Sequence, residues 1–177
     1  QKGKEIQFGI KDTTLRNTKL GISFSLVHNK NEIYYDSSLS TNTNYNGKTR
    51  HYAAALEAAH EFWEGKLEPF INLTFQKGEF LKGSYNGNEI PFVPNQMANA
   101  GLTWRPIERL STSLTVNQVG KSFAISDAAN THAKLKRYAT ADWNFKYGIK
   151  NFDVWFSLNN ILNSKYSIDL LPPEQML

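Results

Sequence analysis

The chain has 177 residues and a formal net charge of +4, and 40% of its residues are hydrophobic and 13% aromatic. Mean hydropathy is −0.49 and no run of 18 apolar residues occurs, which excludes a transmembrane helix. The absence of cysteine excludes disulfide scaffolds and thiolate metal sites, and basic and acidic residues that are interspersed rather than clustered predict no nucleic-acid partner.

Most of the chain alternates between apolar and polar residues with a period of two, which is the pattern of a β-strand. In LGISFSLVH, Leu20, Ile22 and Phe24 fall on one side, and Gly21 and Ser23 fall on the other. The same alternation predicts strands, in chain order, at 5–11, 20–28, 67–76, 97–106, 110–118, 138–147 and 152–160. The predicted fold class is therefore all-β.

The connections between the predicted strands alternate in length. Short turns with long loops at the opposite end are the layout of outer-membrane barrels, whose strands need about ten residues to cross a bilayer. Only one face of each strand then has to be apolar, so the low mean hydropathy fits. The sequence predicts a transmembrane antiparallel up-and-down β-barrel with short links at 63–66, 106–109 and 147–150 and long loops at roughly 36–50, 78–94 and 120–136.

The segment HYAAALEAAHEFWEG, residues 51–65, has the composition of a helix. Its apolar residues Tyr52, Leu56, Ala59 and Trp63 even repeat at helical spacing. It nevertheless lies between a long loop and a tight turn, where a helix would interrupt the meander of paired strands. We therefore predict a strand here that pairs with the strand beginning at residue 67.

Aromatic residues concentrate at both ends of the predicted strands. Trp63, Trp104, Phe145 and Tyr147 lie beside the short turns, and we expect them to be membrane-interface residues. A second group lies near the long loops and includes Tyr34, Tyr35, Tyr52, Phe80 and Tyr138. The alternative, a soluble β-sandwich, also alternates, but it predicts aromatic residues in mid-strand and no regular alternation of short and long connections.

Five segments in order give the chain a family resemblance: NKNEIYY (29–35) followed by NGKTR (46–50), NEIPFVPNQMANAGLTWRP (88–106), VGKSF (119–123), LKRYATADWNFKY (135–147) and SLNNILNSKYS (157–167). Together they resemble the C-terminal part of the TonB-dependent outer-membrane receptors. Two places depart from the family pattern. Asn163 stands where Asp is usual, and His51, Ala53 and Ala55 stand near places where the family usually has a basic residue, Gly and Glu.

The resemblance implies that the chain supplies about eight consecutive strands of a plugged barrel of about 22 strands. Residues 1–177 would then form the C-terminal portion of the barrel domain, and the N-terminal plug and the last strand would lie outside the chain. It also implies the bacterial outer membrane as the location and active import of a scarce nutrient as the function. A ferric siderophore or similar metal chelate is the expected ligand, with haem, cobalamin and glycans left open.

The partners implied by the resemblance are TonB, reached through an N-terminal segment outside this chain, the small-molecule chelate, and the lipid and lipopolysaccharide of the outer membrane. We expect the basic cluster Lys134, Lys136 and Arg137, at the base of a long loop, to contact lipopolysaccharide, the alternative being that it attracts an anionic ligand. No enzyme motif occurs, and the four histidines lack metal-ligand spacing. We therefore expect no catalytic activity, no metal site and no cofactor.

Ligand capture in this interpretation belongs to the long loops, for which we name Tyr45, Phe123 and His132 as candidate binding residues. An aromatic or imidazole ring at a loop tip can stack on a chelate, whereas the alternative is that these loops only shield the barrel. Two other functions stay open. One is a complete eight-stranded structural or adhesive barrel, although the small inward residues would leave it underpacked, and the other is a soluble carbohydrate-binding β-sandwich.

Overall fold

The computed structural model describes residues 2–12, 14–36 and 39–167. No helix in these ranges has the length and apolar character needed to cross a membrane. The described residues form ten strands: β1 (Lys2–Asp12), β2 (Thr18–Lys30), β3 (Ile33–Asp36), β4 (Thr41–Asn44), β5 (Lys48–His60), β6 (Leu67–Lys82), β7 (Gln96–Trp104), β8 (Leu110–Val119), β9 (Tyr138–Ile149) and β10 (Phe152–Leu158).

Eight of these strands form one antiparallel sheet in the order β1-β2-β5-β6-β7-β8-β9-β10, so each strand pairs with its neighbours along the chain. Strands β3 and β4 form a separate hairpin inserted between β2 and β5. Strands β1 and β10 lie at opposite edges of the sheet and do not pair with each other. The all-β prediction is confirmed, and the described sheet is an open segment rather than a closed eight-stranded barrel.

The alanine-rich segment is a strand, as predicted. β5 pairs with β2 along one side and β6 along the other, so its backbone groups are bonded between strands rather than within a helix. Two alanines of the apolar face sit between large neighbours: Ala54 lies opposite Phe24 on β2 and Phe75 on β6, and Ala58 lies opposite Leu20 and Ile71. Small side chains at such positions leave room for the adjacent rings. Tertiary pairing therefore overrides the helix propensity of the segment.

The register gives the sheet an apolar face and a polar face. Ile22, Leu56 and Leu73 lie side by side on three neighbouring strands. One residue further along each strand, on the other face, are Ser23, Ala55 and Thr74. Side chains of the apolar face are widely exposed, with Leu102 at 42% and Leu114 at 46%. A broad apolar face of this kind requires contact with lipid, and the opposite face lines the interior of the barrel.

The short and long connections segregate to opposite ends of the sheet. Among the described residues, four short turns lie at one end, at 14–17, 61–66, 105–109 and 150–151, and three long connections lie at the other, at 31–36 with 39–47, 83–95 and 120–137. In the second short turn Trp63, Glu64 and Gly65 all have positive φ, which is how the chain reverses within six residues. β6 continues six residues past its predicted end at 76, and the β3–β4 hairpin was not predicted.

Candidate functional site

The buried core of the described structure lies among the long connections, which we call the outer loop layer (31–36, 39–47, 83–95 and 120–137). Tyr45, Phe80, Ile90 and Ala128 are its buried members, and Tyr34, Tyr85 and Val93 pack against them. The rings of Tyr34 and Tyr45 meet edge to face with centroids 5.6 Å apart, and Tyr45 and Phe80 lie 4.5 Å apart. Aromatic rings in these geometries contribute more than their buried area alone. The cluster ties the first two long connections to the outer end of β6.

The second and third long connections are joined by hydrogen bonds through Asn130. Its Oδ1 accepts the amide N–H of Glu89 at 2.7 Å, and its Nδ2 donates to the carbonyl of Glu89 at 3.0 Å. The side chain of Asn88 donates in return to the carbonyl of Ala128 at 3.2 Å. Asn130 has φ of 54°, a conformation that asparagine tolerates better than most residues. We call this contact the Asn130 clasp.

A buried carboxylate shapes the turn that presents His132. Asp127 accepts hydrogen bonds from the amides of Thr131 and His132 at 2.9 and 3.0 Å, and from the Thr131 hydroxyl at 3.0 Å. Burial by itself would raise the pKa of Asp127, but these donors outweigh it and hold the pKa below its usual value. The His132 side chain remains 58% exposed, with Nδ1 at 3.6 Å from the Asp127 carboxylate.

Phe123 lies half-buried in the third long connection, beneath a lysine. The Lys134 ammonium is 5.0 Å from the centre of the Phe123 ring, which is a cation–π contact. The same ammonium forms an ion pair with Glu89 at 2.6 Å. Phe123 and Lys134 therefore place a ring and a positive charge together. The sequence predicts a surface contact for Lys134, and no local pattern connects it with Phe123.

The structure places Tyr45, Phe123 and His132 in the same layer but gives them different surroundings. Tyr45 is 3% exposed, and its hydroxyl accepts the amide N–H of Tyr85 at 3.0 Å. Its ring packs on neighbouring rings and offers no free face to a ligand. His132 is exposed and Phe123 half-exposed. Within the described ranges no ring contact joins the three residues.

A polar cluster at the base of the first long connection was missed by sequence reasoning. Glu32 accepts hydrogen bonds from the Thr49 hydroxyl, from His51 Nε2 at 2.9 Å and from Asn29 Nδ2 at 3.3 Å. Burial would raise the pKa of Glu32, but the bonds from His51 and Thr49 outweigh it and hold the pKa below its ordinary value. These partners lie 17 and 19 residues from Glu32, a separation that no local pattern reports.

The inward face of the sheet carries a chain of polar side chains. Asn99 donates to Asn117 at 2.5 Å, Asn117 donates to Asp142 at 3.3 Å, and Asp142 accepts the amide N–H of Asn160 at 2.8 Å. Asn163, which stands at the family's usual Asp position, donates its amide N–H to the carbonyl of Asn160 at 2.8 Å. The chain of bonds holds the segment after β10 against β9 and gives the interior wall a polar surface.

The aromatic residues expected at the membrane interface lie at the short-turn end. Trp104 and Phe145 are both directly opposite Thr112, on the apolar face. Tyr147 lies two residues nearer the turn, opposite Leu110, and Trp63 lies in the turn after β5. Trp63 and Trp104 are 67% and 49% exposed. The position of these rings fits the expected girdle, whose contact with lipid headgroups stays a prediction.

No three of the histidine, aspartate and glutamate side chains gather as metal ligands in the part of the chain that the structure describes. The histidines have separate environments: His51 binds Glu32, and His60 lies 2.7 Å from the Thr18 hydroxyl and edge-on to Phe62.

A family model described as "TonB dependent receptor-like, beta-barrel" matches residues 1–161. No curated protein matches the chain by sequence. Three solved structures illustrate the structural likeness, and the chain spans about a quarter of the length of each. Because their identities to this chain lie below 25%, the likeness shows the fold alone.

The crystal structure of the ferric yersiniabactin uptake receptor FyuA from Yersinia pestis is 24% identical with a TM-score of 0.74, over 94% of this chain and 26% of that one. The siderophore receptor PiuA from Acinetobacter baumannii is 21% identical with a TM-score of 0.74, over 94% of this chain and 25% of that one. The ferric citrate transporter FecA in its unliganded form is 16% identical with a TM-score of 0.73, over 93% of this chain and 27% of that one.

Proposed function

The chain belongs to the TonB-dependent receptor-like β-barrel family, and we propose that it forms part of a receptor that imports a ferric siderophore or a similar metal chelate. Its location is the bacterial outer membrane, and the family and its structural neighbours are transport receptors rather than enzymes. The observation that carries the proposal is the outer loop layer, a packed body of aromatic and charged groups that stands above the lipid-facing sheet.

Ligand capture is proposed for the exposed part of this layer. Phe123 with Lys134, 5.0 Å apart, offers a ring and an ammonium to a chelate that has anionic oxygen donors and a flat face. His132 is exposed on the turn that the Asp127 carboxylate stabilises, and its imidazole offers a second ring to the ligand. For Tyr45 we propose an indirect role, because its buried ring supports the loops that carry the other two.

Energy coupling and domain organisation are also proposals. We place residues 1–177 in the C-terminal portion of the barrel domain, with a plug and a TonB-contacting segment supplied from elsewhere in the full-length receptor. The polar inner wall, with Asn99, Asn117 and Asp142 bonded in a row, is suited to a hydrophilic plug, because a mobile plug needs a surface with exchangeable hydrogen bonds.

The test of ligand capture uses the full-length receptor and a panel of radiolabelled ferric siderophores, of catecholate, hydroxamate and carboxylate chemistry. We expect Phe123→Ala and His132→Ala each to weaken binding of one class by about tenfold, the effect of losing about 1.4 kcal/mol. Phe62→Ala, at the short-turn end, is the matched control and should bind as the unmodified receptor does. Binding unchanged in both loop variants would support loops that only shield the barrel.

Orientation has its own test. Ala129 is exposed in the third long connection, so in our proposal it faces the cell exterior. A cysteine placed there by Ala129→Cys should react with a membrane-impermeant maleimide on intact cells, whereas one placed by Glu108→Cys, in a short turn, should react only after lysis. The reverse pattern would overturn the orientation.

A further inference from the structure

The outer ends of β1, β2, β5 and β6 carry four lysines in one row. The strand register pairs Lys2 with Lys30, Lys30 with Lys48, and Lys48 with Lys82. Residues directly opposite one another share a face of the sheet. All four side chains are exposed, and no described ion pair involves any of them. We call this set the lysine row.

The lysine row lies on the lipid-facing side, directly beyond the apolar surface. The next row toward the short turns has Lys4, His28, Arg50 and Glu79. It lies two residues along β1, β2 and β5 and three residues along β6, where a bulge shifts the register but leaves Lys82 paired with Lys48. Two residues further along each strand, the next row has Ile6, Leu26, Tyr52 and Lys77. The row after that has Phe8, Phe24, Ala54 and Phe75. Since steps of two keep the same face, the outward surface changes from aromatic to basic as it approaches the outer loop layer.

The acidic groups at this level do not neutralise the lysine row. Glu79 is the one acid in the two basic rows, and it already pairs with Arg50 and with Lys77 at 3.5 Å. Glu32, near the same ends of the strands, already accepts hydrogen bonds from His51 and Thr49. Like charges directly opposite each other on neighbouring strands repel. Four unpaired lysines in register therefore gain stability from an anion that bridges them.

We propose that the lysine row binds the phosphate groups of lipopolysaccharide, the phosphorylated glycolipid of the outer leaflet. Neighbouring strands are about 4.8 Å apart, so the row spans about 14 Å, a length that suits a headgroup with more than one phosphate. Lysine serves here as a compact point charge. The acyl chains of the same lipid lie against the aromatic row of Phe8, Phe24 and Phe75, and charge and hydrophobicity thus match one amphipathic partner.

The inference rests on the proposed orientation, in which the long connections face outward. It differs from the contact expected for Lys134, Lys136 and Arg137, because those three residues lie in the third long connection rather than on a strand of the barrel wall. The lysine row lies instead on the wall of the barrel, level with the surface of the bilayer. There, each lysine adds to the attraction by an anionic surface.

The experiment compares two triple variants of the full-length receptor, purified in detergent and stripped of lipid. Lys30→Gln/Lys48→Gln/Lys82→Gln removes the charges of the lysine row, and Lys11→Gln/Lys66→Gln/Lys150→Gln removes three charges at the short-turn end. Fluorescent lipopolysaccharide is titrated into each. We expect the first variant to lose at least about tenfold in affinity and the second to stay within about twofold of the unmodified receptor.

Two further arms make the result decisive. Lys30→Arg/Lys48→Arg/Lys82→Arg should retain binding, and dephosphorylated lipopolysaccharide should bind the unmodified receptor as weakly as the intact lipid binds the Gln variant. Folding is checked by heat-modifiable mobility on gels, and Lys48→Gln alone replaces the triple variant if that variant does not fold. Equal affinity of the Gln variant, or equal binding of the dephosphorylated lipid, would overturn the proposal. Failure of the orientation appears separately, in the labelling of Ala129→Cys.

Discussion

Glu32 is the side chain that fastens the first long connection to β5, through Thr49 and His51. Its pKa is lowered, so its carboxylate stabilises the fold fully above the ordinary glutamate pKa of about 4.3, and this contribution is lost as the pH falls through the lower folded value. We expect Glu32→Gln to cost about 1–3 kcal/mol at neutral pH and almost nothing in strong acid. Urea unfolding of the full-length receptor at a series of pH values measures this difference.

The control for Glu32→Gln is Glu108→Gln, which removes the same charge in an exposed short turn. It should leave the free energy of unfolding nearly unchanged at every pH. A penalty for Glu32→Gln that stays constant from neutral to acidic pH would show that packing, rather than the ionised carboxylate, holds the connection.

Asn130 is the second residue on which the outer loop layer depends, because one side chain makes the clasp to Glu89 from a left-handed backbone. We expect Asn130→Ala to remove hydrogen bonds worth about 0.5–1.5 kcal/mol each and to speed amide exchange across 83–95 by more than about tenfold. Hydrogen–deuterium exchange of the full-length receptor is the measurement. Asn31→Ala has the same positive φ without a clasp and controls for backbone strain; equal acceleration in both variants would contradict the assignment.

At the scale of the strand, the two faces of β7 make opposite demands on a charge. Leu102 lies on the lipid-facing side between Pro69 and Leu114, and Thr103 lies on the inner side between Glu68 and Ser113. We expect Leu102→Arg to cost roughly 2–4 kcal/mol, because the guanidinium would enter hydrocarbon. Thr103→Arg should cost far less, since Glu68 lies beside it. Equal penalties in unfolding of the full-length receptor would refute the assignment of faces.

At the scale of the whole molecule, closure decides stability. The outer edges of β1 and β10 are both unpaired in the described sheet, and unpaired backbone groups cannot remain in lipid. We expect residues 1–177 expressed alone to aggregate in detergent and the full-length receptor to give a heat-resistant barrel. A monomeric barrel with protected amides in both edge strands would contradict this and favour a small eight-stranded barrel.

The sequence by itself determined the eight strands of the main sheet, their order and their faces, because alternation of side chains is a local property that each strand carries within itself. In β7, Ala98, Ala100 and Leu102 alternate with Asn99, Gly101 and Thr103, and this is sufficient to fix which side meets lipid. Even the alanine-rich β5 follows from its place between a long loop and a turn, although its composition alone favours a helix.

Only the tertiary structure decided what the long connections do, because their contacts join residues far apart in the chain. The neighbours of Tyr45 in the chain are polar, as they are for an exposed loop residue. Contacts with Phe80 and Tyr85 nevertheless bury its side chain. The Asn130 clasp likewise depends on a partner in another connection, Glu89. The lysine row needed the register as well, since no sequence pattern places Lys30, Lys48 and Lys82 side by side; pairing between strands does.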